Sequence, residues 1–345
     1  MRILAIETSC DETAMALVEA RGGLSTPAFT IIKSVISSQI AVHRPFGGVV
    51  PNLAKREHLL ALPPMFEEMR GIIGKKKIDA VAVTVGPGLE PALWTGIGFA
   101  KEIHKKYYPK ALLLGVNHME GHLLSFLLAR EAEKNVYKVA KLPSLFPAIG
   151  VVVSGGHTML LKMDSLTQWK KLGETRDDAI GEAFDKVARV LKLPYPGGPE
   201  IERLAKTGNR TAITFPRPML GSPDYDFSFS GIKTSVLYYM RDNPRANTAD
   251  VAASFEAAVV DVMAKKTERA VRQFDARSIL LSGGVAANTA LRTALAGKAD
   301  ELHAKFFAPS FAFNTDNAAM MGVAAYIQHL RGKNRRLVAN ANISL

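Results

Sequence analysis

The chain has 345 residues, 48% hydrophobic and 22% charged, enough to bury a sizeable core and too evenly mixed for long disorder. Lys and Arg number 44 against 32 Asp and Glu, a net charge of +12 that points to a polyanionic partner, nucleic acid or an anionic surface. One cysteine, Cys10, excludes an internal disulfide framework and fits a reducing compartment.

The first residues, MRILAIETS, enter a strand pattern directly, so no signal or transit peptide is expected. Residues 2–8 and 13–20, joined by CDET, read as a hairpin, and FTIIKSVIS as a third strand. A helical stretch over about 52–72 is expected to break at Pro63-Pro64. DAVAVTVG then reads as a buried strand, PALWTGIGFAKEIHKKYY as a helix, ALLLGV as a strand and HMEGHLLSFLLAREA as a helix. Residues 142–161 carry no formal charge over a membrane-span length, but Pro143, Pro147 and Ser154-Gly155-Gly156-His157 break the run. A buried strand and a turn are expected there, in a soluble, cytoplasmic protein with no membrane partner.

The second half repeats the order. AIGVVVSG, TMLLKMD and QWKKLGE read as three strands, followed by a helical section over about 177–274. After it come the strand SILLSGG, the helix AANTALRTALAG, the strand AKFFAP and the helix NAAMMGVAAYIQHL. No residue-level repeat accompanies this duplicated order. It predicts two α/β lobes, residues 1–134 and 135–345, with a helical insertion in the second and the C-terminal helix available to complete the first. Ligands are expected in a cleft between them, at strand carboxyl ends and helix N-termini.

His118 and His122 in NHMEGH are four apart, about 400° and 6 Å along a helix, so they share one face at a spacing suited to two imidazole ligands. His118 opens the last helix of the first half and NTDNAAM the last helix of the second. Pseudo-symmetry therefore brings Asp316 across the cleft toward the pair. Two His and one carboxylate leave coordination positions open, as a catalytic metal needs. Glu120 lies about 200° from His118, on the far side of the helix, which disfavours the H-E-x-x-H peptidase arrangement. Gly121 inside the helix suggests close approach by another backbone or a ligand.

Three glycine-bearing turns follow strands: TVGPGLEPALWTG (84–96), VVSGGHT (152–158) and LSGGVAANTALR (281–292). Turned toward one cleft, their backbone N–H groups suit a phosphate or nucleotide. None matches a P-loop or G-x-G-x-x-G fingerprint.

These stretches, with IETSCDETAMAL, GGVVPNLAKREH, GEAFDKVARVLKLPYPGGP, FPRP, DFSFSGIKT and NTDNAAMM, resemble the bacterial-type tRNA adenosine threonylcarbamoyltransferases over nearly the whole chain. The resemblance implies the duplicated fold of actin-like ATPases, sugar kinases and heat-shock chaperones (the ASKHA fold). It implies transfer of threonylcarbamoyl from threonylcarbamoyl-AMP to the exocyclic amine of the adenosine beside the anticodon, in tRNAs reading codons that begin with A. It further implies one divalent metal, iron or else zinc, on His118, His122 and Asp316. A substrate pocket is implied from Val152, Val153, Ser154, Gly155 and Gly156, with Asp185, Gly198, Glu202 and Asn288. Implied partners are the tRNA anticodon stem-loop, an inactive paralogous ASKHA protein forming a heterodimer, and a small ATPase. Glu202 stands where many members have Asp, and Asn314 and Ala318 where Cys and Gly are frequent.

Under that reading the metal acts as a Lewis acid on the carbamoyl oxygen, and Asp11 and Glu12 in the first hairpin turn are candidate proton acceptors or adenine-positioning groups. A sugar-kinase-like ATPase would share the fold but not need the histidine pair. A metallopeptidase would account for the histidines, and a non-enzymatic tRNA-binding scaffold for the charge.

Overall fold

The apolar run after Arg2 forms strand β1 (Arg2–Glu7), buried from Ile3 onward. It pairs antiparallel with β2 (Glu12–Arg21), and β2 with β3 (Ala28–Ser38). The computed structural model describes residues 1–129 and 131–345 and divides into two units: Met1–Leu142 with Pro309–Leu345, and Pro143–Ala308.

In the first unit a short helix α1 (Ile40–His43) leads to α2 (Pro51–Ile73). Next come β4 (Ala80–Gly86), α3 (Glu90–Tyr107), β5 (Leu112–Asn117) and α4 (His118–Leu124). Two short strands, β6 (Glu131–Glu133) and β7 (Val136–Lys138), extend the sheet, whose order is β5-β4-β1-β2-β3-β7-β6. β1, β4 and β5 run parallel, and β4 is buried along its whole length, as a parallel strand covered on both faces should be.

Two sequence expectations need correction here. The helix over 51–73 does not break at Pro63-Pro64. Both prolines face solvent, where water can take the carbonyls they leave free, while Leu62, Met65, Phe66 and Met69 hold the opposite face on the core. The helix expected over 118–132 ends at Leu124, continues as a 3-10 turn over Ser125–Leu128, and in part lies outside the described residues.

The second unit carries β8 (Ala148–Val153), β9 (Thr158–Met163) and β10 (Trp169–Glu174), then four helices. These are α5 (Ile180–Val190), α6 (Gly197–Ala205), α7 (Ser230–Asp242) and α8 (Thr248–Gln273). β11 (Ser278–Ser282), α9 (Thr289–Glu301) and β12 (Lys305–Phe307) close a sheet of order β10-β9-β8-β11-β12. That order and its parallel and antiparallel pairings repeat β3-β2-β1-β4-β5, so the duplicated element order is a duplicated topology.

The chain then returns to the first unit. The last helix, α10 (Ala318–Leu330), is buried from Ala318 through Gln328. Alternation along the first sheet sends Leu4, Ile6, Met15, Leu17, Val81 and Val83 to the cluster with α2 and α3. The opposite face takes α10, so close that a Cβ on Gly322 would meet Val18 Cγ2 at 2.7 Å. Asp316 thus sits in the same unit as His118 and His122. The approach from the opposite lobe, inferred from element order, is corrected: the apolar surface of α10 is satisfied on the first sheet.

Candidate functional site

β5 ends at Asn117, whose side chain accepts hydrogen bonds from Met119 N (2.8 Å) and Glu120 N (3.1 Å). This cap starts α4 at His118. Asn317 does the same for α10, accepting from Met320 N at 2.9 Å. Gly121 lets the two helices meet, since a Cβ there would lie 1.8 Å from Met321 Cε. The neighbour that Gly121 anticipates is therefore α10.

This packing brings together His118, His122 and Asp316, each offering one ligand atom within 4.8 Å of the others. Asp316 Oδ1 lies 3.4 Å from His118 Nε2 and 3.0 Å from His122 Nε2. The two imidazole rings stand nearly perpendicular, 4.6 Å apart. On its other side His118 Nδ1 meets Glu7 Oε2 at 3.0 Å and Ser9 Oγ at 3.2 Å. Glu7 is fully buried and also accepts from Thr84 Oγ1 (2.6 Å) and Ser9 N (2.5 Å).

Electrostatics suit a cation. Burial alone would disfavour the imidazolium of His118, but Asp316 and Glu7 outweigh it and push the group up to about 9. Burial likewise opposes the Glu7 carboxylate, yet its contact with His118 keeps it below the usual range. Without a metal, the positive charge these two carboxylates demand is a proton. A divalent cation fits the same need. The hydrogen bond of His118 Nδ1 to Glu7 leaves Nε2, which faces Asp316, to carry the proton or meet the cation, and among the described residues His122 Nδ1 is buried without a hydrogen-bond partner.

Asp11 lies in the hairpin turn just before β2, and Glu12 is the first residue of β2. Burial, then the charges of Asp316, Asp11 and Glu7, push Glu12 up to about 10. The turn is held from behind by buried His58, whose Nε2 donates to Cys10 O (3.0 Å) and whose Nδ1 lies 2.7 Å from Thr13 Oγ1. Burial first, then the adjacent Asp11, raises the Cys10 thiol well above its usual range, which makes it a poor nucleophile. Glu120 pairs with Arg335 at 2.6 Å, away from the histidines. The turn at 84–96 packs on the same region: Leu89 N donates to Ser9 O at 2.7 Å.

In the second unit, Ser154 N donates to His157 O (2.8 Å) and Ser154 Oγ accepts from His157 N (3.1 Å), closing the β8–β9 turn. Val152 and Val153 have fully buried side chains, whereas Gly155 and Gly156 are open to solvent, with nothing near their Cβ positions. The turn after β11 abuts this one: Gly283 has φ +93°, and a Cβ there would lie 2.2 Å from Val153 O. Asn288 caps α9 through Leu291 N (2.8 Å) and donates to Glu256 Oε1 (2.7 Å). Glu202 Oε1 accepts from Thr289 N at 3.2 Å, and a cavity of about 440 Å³ borders Glu202, Glu256 and Thr289. Asp185 accepts from Gly197 N at 2.7 Å and so fixes the start of α6, while Gly198 is open.

Glu7, Ser9, Thr84, His58 and Asn117 are site residues that sequence pattern alone does not reveal. The one usable signal is Glu7, a charge ending an otherwise apolar strand. A larger cavity, about 840 Å³, lies between α2 and α3 and contains none of the candidate ligands.

By fold this is a protein of the ASKHA class. HypF from T. kodakarensis superposes with a TM-score of 0.60 over 96% of this chain and 48% of its own, at 16% identity. The Clostridium difficile activator of 2-hydroxyisocaproyl-CoA dehydratase, solved with ADPNP, gives 0.51 over 97% of this chain and all of its own, at 14% identity. The profile of the tRNA N6-adenosine threonylcarbamoyltransferases matches residues 30–323. The member from Moorella thermoacetica is 48% identical over 98% of this chain and 95% of its own length, and that from Fervidobacterium nodosum 42% over 97% and 95%. The chain belongs to the tRNA N6-adenosine threonylcarbamoyltransferase family, and it is a transferase acting in tRNA modification.

Proposed function

We propose that this enzyme moves the threonylcarbamoyl group of threonylcarbamoyl-AMP onto the exocyclic amine of the adenosine beside the anticodon, in tRNAs reading codons that begin with A. One divalent metal, iron with zinc as the alternative, is held by His118, His122 and Asp316. The observation that carries this reading is the convergence of those three ligand atoms within 4.8 Å in a member of this family. Two imidazoles and one carboxylate with open positions are a donor set suited to Fe(II). When bound, the metal supplies Lewis acidity toward the carbamoyl oxygen.

The chain's own residues do the rest. Glu7 holds His118 in one tautomer and keeps its ring in place. Asp11 and Glu12, in and beside the first hairpin turn, are the candidate acceptors for the proton the amine loses or the groups that position the adenine. Backbone groups of Val152 to Gly156 bind the nucleotide portion, with Asp185, Gly198, Glu202 and Asn288 shaping the pocket. AMP then departs as a stable anion, and the N–C bond to the tRNA amine replaces the bond to its phosphate.

The excess of cations serves the anticodon stem-loop. An inactive paralogue of the same fold and a small ATPase are the proposed protein partners, in the cytoplasm where tRNA is processed. No helix among the described residues is long and apolar enough to cross a membrane.

The test is reconstitution with threonylcarbamoyl-AMP and unmodified tRNA, read by nucleoside mass spectrometry. Modified adenosine should form, stop with chelator, and return on adding Fe(II) or Zn(II). Modification that is indifferent to His118→Ala would overturn the metal assignment.

A further inference from the structure

A single exposed phenylalanine is ordinary on a protein surface. Phe46 differs in how it is mounted. It lies at the end of a 3-10 turn, Arg44–Phe46, in which Pro45 fixes φ and Gly47, at φ +66°, closes the bend. The side chain is 64% exposed, the highest among the large hydrophobic residues described.

The base of this arm is tied to the Asp11–Glu12 turn through buried polar groups. Gln39 N donates to Asp11 O at 2.9 Å. Gln39 Nε2 lies 3.2 Å from His58 Nδ1, and His58 Nε2 donates to Cys10 O at 3.0 Å. His43 Nε2 donates to Gln39 Oε1 at 3.0 Å, and its Nδ1 accepts from Val50 N at 3.3 Å, so both strands of the arm are pinned. His43, His58, Gln39 and Thr13 are all buried. One satisfied network therefore rigidifies the arm. Four α-helical and three 3-10 residues put its tip at most about 12 Å along the chain from Gln39, hence close to the turn.

A second exposed aromatic, Phe311, opens a 3-10 turn on the segment that leads to Asp316. The turn Phe311–Phe313 buries Phe313 edge-on against Tyr137, ring centres 5.5 Å apart. Asn317 Nδ2 donates to Phe313 O (3.2 Å) and Thr315 O (2.8 Å), while Phe311 is 63% exposed. Each of the two segments feeding the site thus holds out one rigid aromatic. On the same stretch of chain as Phe46, Arg44, Lys55 and Arg56 are exposed.

Aromatic faces beside guanidinium groups are what unpaired RNA bases stack on, and a strongly cationic protein attracts the phosphates between them. We propose that Phe46, with Arg44, and Phe311 are stacking platforms for unpaired anticodon-loop nucleotides flanking the target adenosine. This rests on the tRNA reading above and assigns its contact surface.

The experiment measures Kd of the full-length, metal-loaded protein for an unmodified anticodon stem-loop RNA by fluorescence anisotropy across a salt series. Phe46→Ala and Phe311→Ala should each raise Kd roughly tenfold at fixed salt without changing the salt slope. Phe46→Tyr should bind as wild type, and Arg44→Ala should reduce the slope by about one. On a stem-loop with abasic loop positions, wild type should drop to the affinity of Phe46→Ala. Wild-type affinity in the double alanine variant overturns the platforms while leaving the tRNA reading standing. Failure of the wild-type protein to bind the stem-loop at any salt overturns both.

Discussion

Glu7 Oε2 lies 3.0 Å from His118 Nδ1, on the side of the ring opposite Asp316. A carboxylate there would raise the donor strength of Nε2 toward the proposed metal without itself being a ligand. Glu7→Gln preserves an acceptor but removes the charge. Affinity for Fe(II) or Zn(II), read by competition with a chromogenic chelator, should fall about 10–100-fold with little change in thermal stability. Unchanged affinity would mean that Glu7 serves only the fold.

Glu120, the glutamate inside NHMEGH, is 5% exposed and paired with Arg335 at 2.6 Å. Removing only Arg335 strands a buried carboxylate, so Arg335→Ala should destabilise by about 3 kcal/mol in denaturant unfolding. Arg335→Met combined with Glu120→Gln should recover most of that loss. If the double variant is no better than the single, the pair is not the source of the cost. The same pairing holds the Glu120 carboxylate on Arg335.

The histidine pair was legible because helical period alone decides which residues share a face. The duplicated β-hairpin order is legible because β1, β2, β8 and β9 are largely apolar and their connections carry turn residues. Apart from the family resemblance, only that repeated order points to Asp316, and it places the residue across a cleft, whereas α10 buries nearly every side chain against the first sheet. Glu7 was invisible as a partner of His118, 111 residues away, since no local pattern encodes a contact at that separation. Pro63-Pro64 misled for a simpler reason: a proline pair on the solvent side of a well-packed helix costs hydrogen bonds that water replaces.

Two glycines at close approaches should respond unequally to alanine. At Gly121 the new Cβ meets the flexible end of Met321, and alanine's better helix propensity offsets part of the crowding. Gly121→Ala should cost about 1 kcal/mol, read by denaturant unfolding. At Gly283 the obstacle is the Val153 carbonyl at 2.2 Å, and φ is +93°. Neither can yield cheaply, so Gly283→Ala should cost more than about 3 kcal/mol or prevent soluble expression. Equal costs at the two positions would refute the distinction between backbone and side-chain obstacles.

Glu256 provides a pH test in the second unit. Burial raises its carboxyl above the ordinary value, a shift partly countered by the hydrogen bond from Asn288 and reinforced by Glu202. A raised folded-state value means the fold favours the protonated form. The associated stability is fully present below the unfolded-state pKa, about 4.3, and is lost as pH rises through the folded value. Above that window the wild-type protein carries the cost of an ionised buried carboxylate. Glu256→Gln keeps an acceptor for Asn288 and cannot ionise. In thermal melts from about pH 4 to pH 9, the variant should match wild type at the acid end and melt progressively higher as pH increases. A variant that is less stable than wild type at alkaline pH would mean that the carboxylate, rather than its protonated form, is what the fold is built around.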